Sequence, residues 1–499
     1  DEEMSMLLQG FEGGTGDDEE ENKFPEIDYS YLNGLRGIGA LCVYFDHFRY
    51  QFFPYPTQED IDNGEDIRHL PDVLYTTPLA ILHHGYFWVL IFFILSGFVL
   101  PLRFFKTRDA MCIYSGTFRR YLRLMIPCVI ILSLYYFFMK MDAMGPYTFT
   151  RIQGKTFLHL IIDGFFGTWL CDDSWTSVTW TLSVEIAATF FIYLLAQTAV
   201  QYRARFLIYI LVCCFFWIPQ ITDKMEVSNL DFGKTVKHLP VFFIGVIIAD
   251  FETMKDSRPL DAVRNLHWGW KIPINLFLVF IIVSLGSYKG NSKCLNDHDG
   301  NCEYWHYVTL NFALNKLFYN YVAAIGLIFF ALTSSAFQWV LGSAPFSFLG
   351  RISYILYLLH ELFTEWIEVD TYYYFIGPDH DIDPNLAILY VFLIYTPALI
   401  LASWILTVLV DTPSQNWVYQ LEEQSRKQRP PPPKEEDGEE TPDYAEYYSC
   451  WSFTKRSWPI FLLITWLLIV LTSTEVYSAY KNPRAVGPGE VKPYLSVTS

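Results

Sequence analysis

The chain has 499 residues, of which 52% are hydrophobic, 18% aromatic and only 18% charged, and its formal net charge is −18. This composition excludes an ordinary soluble domain of this size, in which a larger share of charge is expected. The acidic balance, without a basic stripe interleaved with aromatics, excludes a nucleic-acid partner. The nine cysteines form no metal-ligand pattern, so no metal is expected.

Apolar segments long enough to cross a bilayer, which takes roughly 20 residues, recur along the chain. Two examples are GYFWVLIFFILSGFVLPL from Gly85 and WPIFLLITWLLIVLTSTEVY from Trp458. We expect an all-α, polytopic transmembrane helical bundle with a ten-span core and one appended C-terminal span. The apolar segments lie at roughly 31–50, 80–105, 121–140, 156–170, 176–197, 206–222, 235–250, 271–288, 307–333, 346–366, 386–411 and 457–478.

The charged loops predict the topology. The sequences RFFKTRD and FRRYLR make the loop between the second and third apolar segments strongly basic, and the positive-inside rule places it in the cytosol. The segment at 156–170 is short and interrupted by Asp163 and Gly164, and we interpret it as re-entrant or interfacial. The later basic loops then also return to the cytosol, as do both ends of the core. The expected location is an endomembrane of the ER type or the plasma membrane.

Polar stretches divide the chain into four parts. Residues 1–26 are predicted to form an acidic disordered tail, and residues 27–420 the transmembrane domain. Residues 421–456 contain RPPPPKEEDGEETPD and are predicted to be a cytosolic linker, because proline and acid cannot build a packed core. Residues 457–499 are predicted to form the appended helix and a short tail.

The first apolar segment, YLNGLRGIGALCVYFDHFRYQFF, carries charge where charge is costly. Arg36 and His47 are 11 positions apart, so they differ by only about 20° around a helix and by roughly 16 Å along its axis. A charge near the bilayer centre costs about 2.5–3.5 kcal/mol on the mildest scale. This face is therefore expected to line a water-filled or ligand-filled cavity. The structural alternative is that Arg36 snorkels at a helix end and His47 only satisfies a neighbour.

The two side chains suit opposite ends of one long anionic ligand. Acyl-coenzyme A has this shape, with its phosphates near Arg36 and its reactive end at His47. An imidazole near its ordinary pKa of about 6.5 is a suitable general base for a hydroxyl.

Three arginines at the start of the third apolar segment are open to two readings. Arg119, Arg120 and Arg123 either clamp nucleotide phosphates or mark positive-inside topology alone. Glu185 lies within a later apolar segment and needs a partner, for which Arg36 or one of these arginines is the natural candidate. A purely structural ion pair is the rival interpretation.

A further polar group lies in LGRISYILYLLHELF, which carries Ser353, Tyr354, Tyr357 and His360 in one late apolar segment. These side chains are either part of a site or interhelical hydrogen bonds and no more.

Taken in order, these stretches resemble the membrane-bound acyltransferase 3 family. YLNGLRGIGALCVYFDHF is similar to its first span, an arginine followed by ten residues and a histidine, and GYFWVLIFFILSGFVL to its second. RRYLRLMIP is similar to the Arg-x-x-Arg start of the third span. SVTWTLSVEIAATFF resembles the Trp-Ser-Leu-x-x-Glu element, and LGRISYILYLLHELF the Ser-Tyr-x-x-Tyr-x-x-His element. The resemblance runs from about Tyr31 to Tyr419 and favours a fungal member.

The resemblance implies an integral membrane O-acyltransferase. Such an enzyme moves an acyl group, most often acetyl, from acyl-CoA (acetyl-CoA) to a hydroxyl of a sugar, glycan or natural product. It implies His47 as the catalytic base, Arg36 as its essential companion and Glu185 as a support of the site. Asp46 before the histidine and Ile186 after Glu185 depart from the family pattern. The residues implied for acyl-CoA binding are Arg119, Arg120, Arg123, Trp180, Ser183, Ser353, Tyr354, Tyr357 and His360.

Other protein classes explain part of the pattern. A transporter or flippase would line a conduit with the same stripe and use Asp163 and Glu185 as proton sites, although the two halves show no internal symmetry. A catalytically inactive acyl-lipid binder is a third reading. A different acyltransferase family, built around an Asn and a His in separate spans, would use His360 and leave Arg36 and His47 unexplained.

Overall fold

The computed structural model describes residues 28–53, 78–108, 111–140, 156–165, 176–202, 205–221, 231–254, 259–288, 316–377, 380 and 382–427. Every long regular element in these residues is helical, which confirms the all-α prediction for this part of the chain. The predicted acidic tail, most of the linker and the appended span lie outside the described residues.

We number the helices in chain order. They are α1 Tyr31–Phe52, α2 Gly85–Thr107, α3 Met111–Lys140, α4 Phe157–Phe165, α5 Trp180–Ala199, α6 Arg205–Ile221, α7 Asp231–Glu252, α8 Pro259–Arg264, α9 Trp268–Gly286, α10 Lys316–Thr333, α11 Ser335–Leu341, α12 Ala344–Leu362, α13 Val369–Ile376, α14 Pro384–Leu406 and α15 Thr412–Lys427. A 3₁₀ turn, Pro78–His83, precedes α2. Two π-helical turns, Phe363–Glu368 and Thr407–Asp411, connect α12 to α13 and α14 to α15.

Five of the described helices are long and apolar enough to cross a bilayer, and the pair α10–α11, bent by 93°, makes up to a sixth. In α9 only 17% of the apolar window is buried inside the protein. A helix that is apolar and faces outward is covered by lipid, so the helices indicate a multi-pass membrane protein. The predicted number of ten core spans stays a prediction.

Several helix boundaries differ from the sequence-based segments. Helix α3 begins at Met111, ten residues before the predicted start, so the three arginines lie inside a helix. Helix α4 has nine residues and rises about 14 Å, which is too short to cross a bilayer. Helix α15 begins at Thr412 and continues past residue 420 to Lys427, and its Val418 is buried.

Glycines allow α1 and α12 to pack closely, and this is the most extensive helix pair of the described chain. A Cβ added to Gly37 would lie 2.5 Å from the backbone nitrogen of Gly350. A Cβ on Gly350 would in turn overlap the carbonyl group of Asn33. Small residues at such contacts let helix backbones approach each other in a membrane, where dispersion contacts replace the hydrophobic driving force.

Replacing Gly350 by alanine is expected to lower stability by about 1–3 kcal/mol or more, because the Cβ would overlap helix backbone that cannot turn aside. Gly326→Ala is the matched control, since its Cβ would meet side-chain atoms of Ile282 and Leu278 at 3.2 and 3.5 Å. Thermal unfolding of both variants in detergent measures the difference. Equal unfolding temperatures would contradict the close α1–α12 contact.

Candidate active site

A cavity of about 300 Å³ opens between α1, α2, α3, α5, α12 and α15. Of the described residues that line it, Glu185 is the single carboxylate. The cavity is therefore strongly electropositive. Its basic lining residues are Arg36, Arg103, Lys106, Arg119, Arg120 and Arg123.

An ion pair crosses the cavity wall. Arg120 of α3 donates to Glu185 of α5 at 2.6 Å and to the hydroxyl of Ser96 in α2 at 3.1 Å. The two charged side chains are 17% and 16% exposed, so both are largely removed from solvent. The structure thus pairs Glu185 with one of the arginines that the sequence offered as its partner. The pair ties three helices together beside the cavity.

Two aromatic rings form the cavity wall on the side of His47. Phe92 and Tyr357 both line the cavity, with ring centroids 6.2 Å apart in an edge-on arrangement. Ring atoms of Phe92 lie 2.8 and 2.9 Å from the position that a Cβ on Gly39 would take. Gly39 lies between Arg36 and His47 on α1, so the Phe92 ring fills the space beside the predicted stripe. The hydroxyls of Tyr357 and Thr181 are 2.8 Å apart and fix this wall to α5.

His47 lies beyond this wall, next to a second histidine. The rings of His47 and His360 meet edge-on with their centroids 4.8 Å apart. Tyr357 connects them to the cavity, because its ring centroid is 5.8 Å from that of His360. His360 is fully buried, while His47 is half-buried. Neither histidine lines the cavity in the described structure, so the predicted stripe is divided: Arg36 faces the cavity and His47 pairs with His360.

Asp46, the unusual neighbour of His47, has a structural role. Its Oδ2 accepts a hydrogen bond from the backbone nitrogen of Gly85 at 3.1 Å, and its Oδ1 pairs with Arg49 at 3.3 Å. The first backbone N–H groups of a helix have no partner within the helix, and a carboxylate is favourable there. Asp46 therefore caps α2 and fixes α1 beside it.

The remaining predicted residues divide between the cavity and the core. Ser353 and Tyr354 line the cavity from α12, and the Tyr354 hydroxyl donates to the carbonyl of Leu124 in α3 at 2.5 Å. Trp180 and Ser183 do not line it in the described structure. Trp180 packs against a buried histidine of α7, and Ser183 is fully buried, because both side chains point from α5 into the helix bundle.

The structure adds two residues to the cavity lining that the sequence indicated only as part of a basic cytosolic loop. Arg103 and Lys106 stand at the C-terminal end of α2, where the sequence indicated a cytosolic loop. A signal was present, because Phe92, Ser96, Arg103 and Lys106 follow each other at steps of four, seven and three, which is one face of a helix. This face of α2 lines the cavity along its length.

A polar cluster holds the edge of the cavity at Tyr29. Its hydroxyl donates to Glu252 at 2.8 Å, and the carboxylate also accepts from Arg264 at 2.8 Å. Arg264 pairs in addition with Asp261 at 2.7 Å. Burial, with the Glu252 carboxylate beside it, raises the pKa of Tyr29 above its usual range, so the hydroxyl stays a donor. These contacts join the start of α1 to α7 and α8.

Comparison with known proteins gives one match along the chain and one local match. The family model described as an acyltransferase domain, that of the acyltransferase 3 family, matches residues 29–408, well over half of the 499 residues. The O-acetyltransferase PaAT-1 of Phomopsis amygdali is 34% identical over 109 residues, which cover 20% of this chain and 21% of that protein. The chain thus matches only about a fifth of that relative's length. No solved structure matches it. The chain belongs to the acyltransferase 3 family.

Proposed function

We propose that this protein is an integral membrane O-acyltransferase. It moves an acyl group, acetyl foremost, from acyl-coenzyme A to a hydroxyl of a sugar, glycan or natural product. The observation that carries the proposal is the electropositive cavity, whose wall at Tyr357 contacts the His360–His47 pair. Family membership supports acyl transfer, and the local similarity to a fungal O-acetyltransferase supports acetyl as the group and oxygen as the acceptor.

The charge and size of the cavity support acyl-coenzyme A as the donor. Guanidinium groups bind phosphate oxygens through paired, charge-assisted hydrogen bonds. A volume of about 300 Å³ is at the small end of ligand pockets. We therefore assign the cavity to the pantetheine arm, with the nucleotide phosphates at its arginines and the acyl end at the Phe92–Tyr357 wall. By the positive-inside rule the basic side faces the cytosol.

In the proposed reaction, His47 acts as the general base. The thioester passes Phe92 and Tyr357 and comes to lie beside His47. The imidazole accepts the proton of the acceptor hydroxyl while the hydroxyl oxygen bonds to the carbonyl carbon of the thioester. The carbon–sulfur bond then breaks, and the proton passes from His47 to the leaving thiolate. A positioned general base contributes about 10²–10⁴-fold. His47 is half-buried, which leaves one side of the ring to the acceptor.

The other residues bind and orient the donor. Arg36 and Arg123 hold phosphates, and Glu185 supports the site by fixing Arg120 at the cavity wall. Ser353 and Tyr354 contact the arm of the donor from α12. The buried Ser183 and the partly buried Trp180 act through the packing of α5. Arg119 adds a further charge to the phosphate site.

Replacing His47 by alanine is expected to lower kcat by about 10²–10⁴ and leave the protein folded, because the change removes the proton acceptor. His159→Ala is the control, since this histidine is exposed on α4. The assay supplies radiolabelled acetyl-CoA and glucose to the full chain in nanodiscs and measures labelled ester and free coenzyme A. Normal turnover in the His47 variant would contradict the base assignment. In sealed liposomes, movement of glucose across the bilayer without loss of the acyl group would instead indicate a transporter.

Replacing Arg123 by alanine is expected to raise the KM for acetyl-CoA about 10–100-fold, because a hydrogen bond to a charged group contributes about 1.5–3 kcal/mol. The value of kcat should change little. With S-acetylpantetheine, which lacks the nucleotide phosphates, the variant and the unaltered protein should have equal KM values. An equal loss with both donors would contradict a phosphate role for Arg123.

The Arg120–Glu185 pair is expected to act as a unit. Arg120→Ala and Glu185→Ala should each raise the donor KM, and the double variant should be no worse than the worse single variant. The reason is that each change alone leaves a largely buried charge without its partner. Glu185→Gln keeps an oxygen that accepts from Arg120 and should lose less. Additive losses in this double-mutant cycle would show that the two residues act separately.

A further inference from the structure

His360 is buried without the hydrogen bonds that a buried imidazole ordinarily makes. It exposes none of its surface, and its Nδ1 and Nε2 make no hydrogen bond of ordinary geometry among the described residues, although the backbone carbonyls of Leu356 and Tyr357, one turn earlier on α12, lie near the ring. The great majority of buried polar side-chain atoms in proteins are hydrogen-bonded, and each exception requires an explanation. A buried donor or acceptor left unsatisfied costs about 1–3 kcal/mol. A phenylalanine at this position would fill similar space without that cost.

The location of His360 supplies the explanation. Its ring lies edge-on to that of His47, with centroids 4.8 Å apart. Its other ring contact is Tyr357, which lines the donor cavity. The His360 imidazole thus lies between Tyr357 of the cavity wall and the proposed base His47. A group that leaves the cavity past Tyr357 to react beside His47 must come next to His360.

The chemistry of acyl transfer requires two functions at this point. As the hydroxyl attacks, a proton moves to His47 and negative charge develops on the thioester carbonyl oxygen. A neutral imidazole carries one N–H donor and one acceptor nitrogen. Protonating both of two imidazoles in contact is costly, because the two positive charges repel each other. Protonation of His47 therefore keeps His360 neutral. His360 can then donate a hydrogen bond to the oxygen.

We propose that His360 is a catalytic residue whose ring N–H donates to the thioester carbonyl oxygen as negative charge develops there. This inference rests on the proposed function and reassigns His360 from donor binding to the reacting centre. The bond from the hydroxyl oxygen to the carbonyl carbon forms, the carbon–sulfur bond breaks, and the proton travels from the hydroxyl through His47 to the thiolate. His360 keeps its own proton throughout.

Five variants of the full chain test this role, one of which, His360→Leu, removes both the ring and its nitrogens. His360→Phe keeps a ring and removes both nitrogens, while His360→Gln and His360→Asn each keep an amide N–H donor. His238→Phe is the matched control: His238 is also buried and has an unpartnered Nδ1, but its ring contacts are Tyr86, Phe93 and Trp180. The probes are acetyl-CoA with glucose, and acetyl-CoA with water alone as acceptor. The readouts are kcat, KM for acetyl-CoA and the unfolding temperature.

The expected result separates catalysis from packing. His360→Phe should keep or raise the unfolding temperature, because two unsatisfied atoms are removed, and should lower kcat about 10²–10³-fold, the usual loss for one oxyanion donor. The KM for acetyl-CoA should stay within twofold. The Gln or Asn variant should recover at least tenfold of the lost kcat. His238→Phe should keep its kcat.

Five results would overturn the inference. If kcat and KM are both unchanged in His360→Phe, the residue has only a packing role in the core. If kcat is unchanged and KM is raised, the residue binds the donor. If His360→Phe does not fold, the folded Gln and Asn variants are compared with His360→Leu. A kcat that is no higher in the Gln and Asn variants than in His360→Leu would overturn the inference. Failure of the unaltered protein to cleave acetyl-CoA would overturn the proposed function as well. Loss of activity in His47→Ala but not in any His360 variant would overturn this inference alone.

Discussion

The close contact of α1 and α12 is the constraint on which the site depends. Gly37 meets Gly350, and ten residues later on each helix His47 meets His360. Helices are stiff over this distance, about 15 Å, so fixing the glycine pair fixes the approach of the two imidazoles. The side chain beside the first glycine, Arg36, is directed to the cavity by the same contact. One backbone contact therefore places both ends of the site.

The site divides its polar groups by the environment that each requires. The cations lie around a cavity, where phosphate or water satisfies them, and Glu185 compensates Arg120 directly. His360 lies in the dry part of the bundle and the half-buried His47 at its margin, and Phe92 and Tyr357 separate both rings from the cations. An electrostatic interaction is stronger where water is excluded, and in the proposed reaction the thioester would be protected there from hydrolysis. For the proposed reaction, this arrangement favours transfer to an ordered acceptor over transfer to water.

Part of this site could be predicted from the sequence because it depends on one helix at a time. The 11-residue spacing placed Arg36 and His47 on one helix, and α1 contains both. The partner of Glu185 was narrowed to a few arginines by charge alone, and Arg120 is one of them.

The features that the sequence did not predict depend on contacts between helices. Nothing in the sequence around Gly39 indicates that the Phe92 ring of α2 fills the space beside it and interrupts the face shared by Arg36 and His47. Arg119 and Arg120 precede the predicted span at 121–140, because a hydropathy window counts a charge against a helix even when it faces a cavity. The pairing of His47 with His360 joins positions 313 residues apart. Nothing in either local sequence specifies that distance.

The direction of α1 and α12 bears on the topology. The residue numbers of the contacting positions increase together along both helices, from Gly37 with Gly350 to His47 with His360, so the helices run parallel.

Two parallel spanning helices have an odd number of spans between them in the chain. The ten-span arrangement, in which the segment at 156–170 does not cross, puts seven spans between them and meets this requirement. A crossing at 156–170 would put eight there and would force α1 and α12 to run antiparallel. The nine-residue helix α4 agrees with the first arrangement, because it is too short to reach the opposite surface. The pairing of two histidines in the membrane therefore supports the same topology as the basic loops outside it.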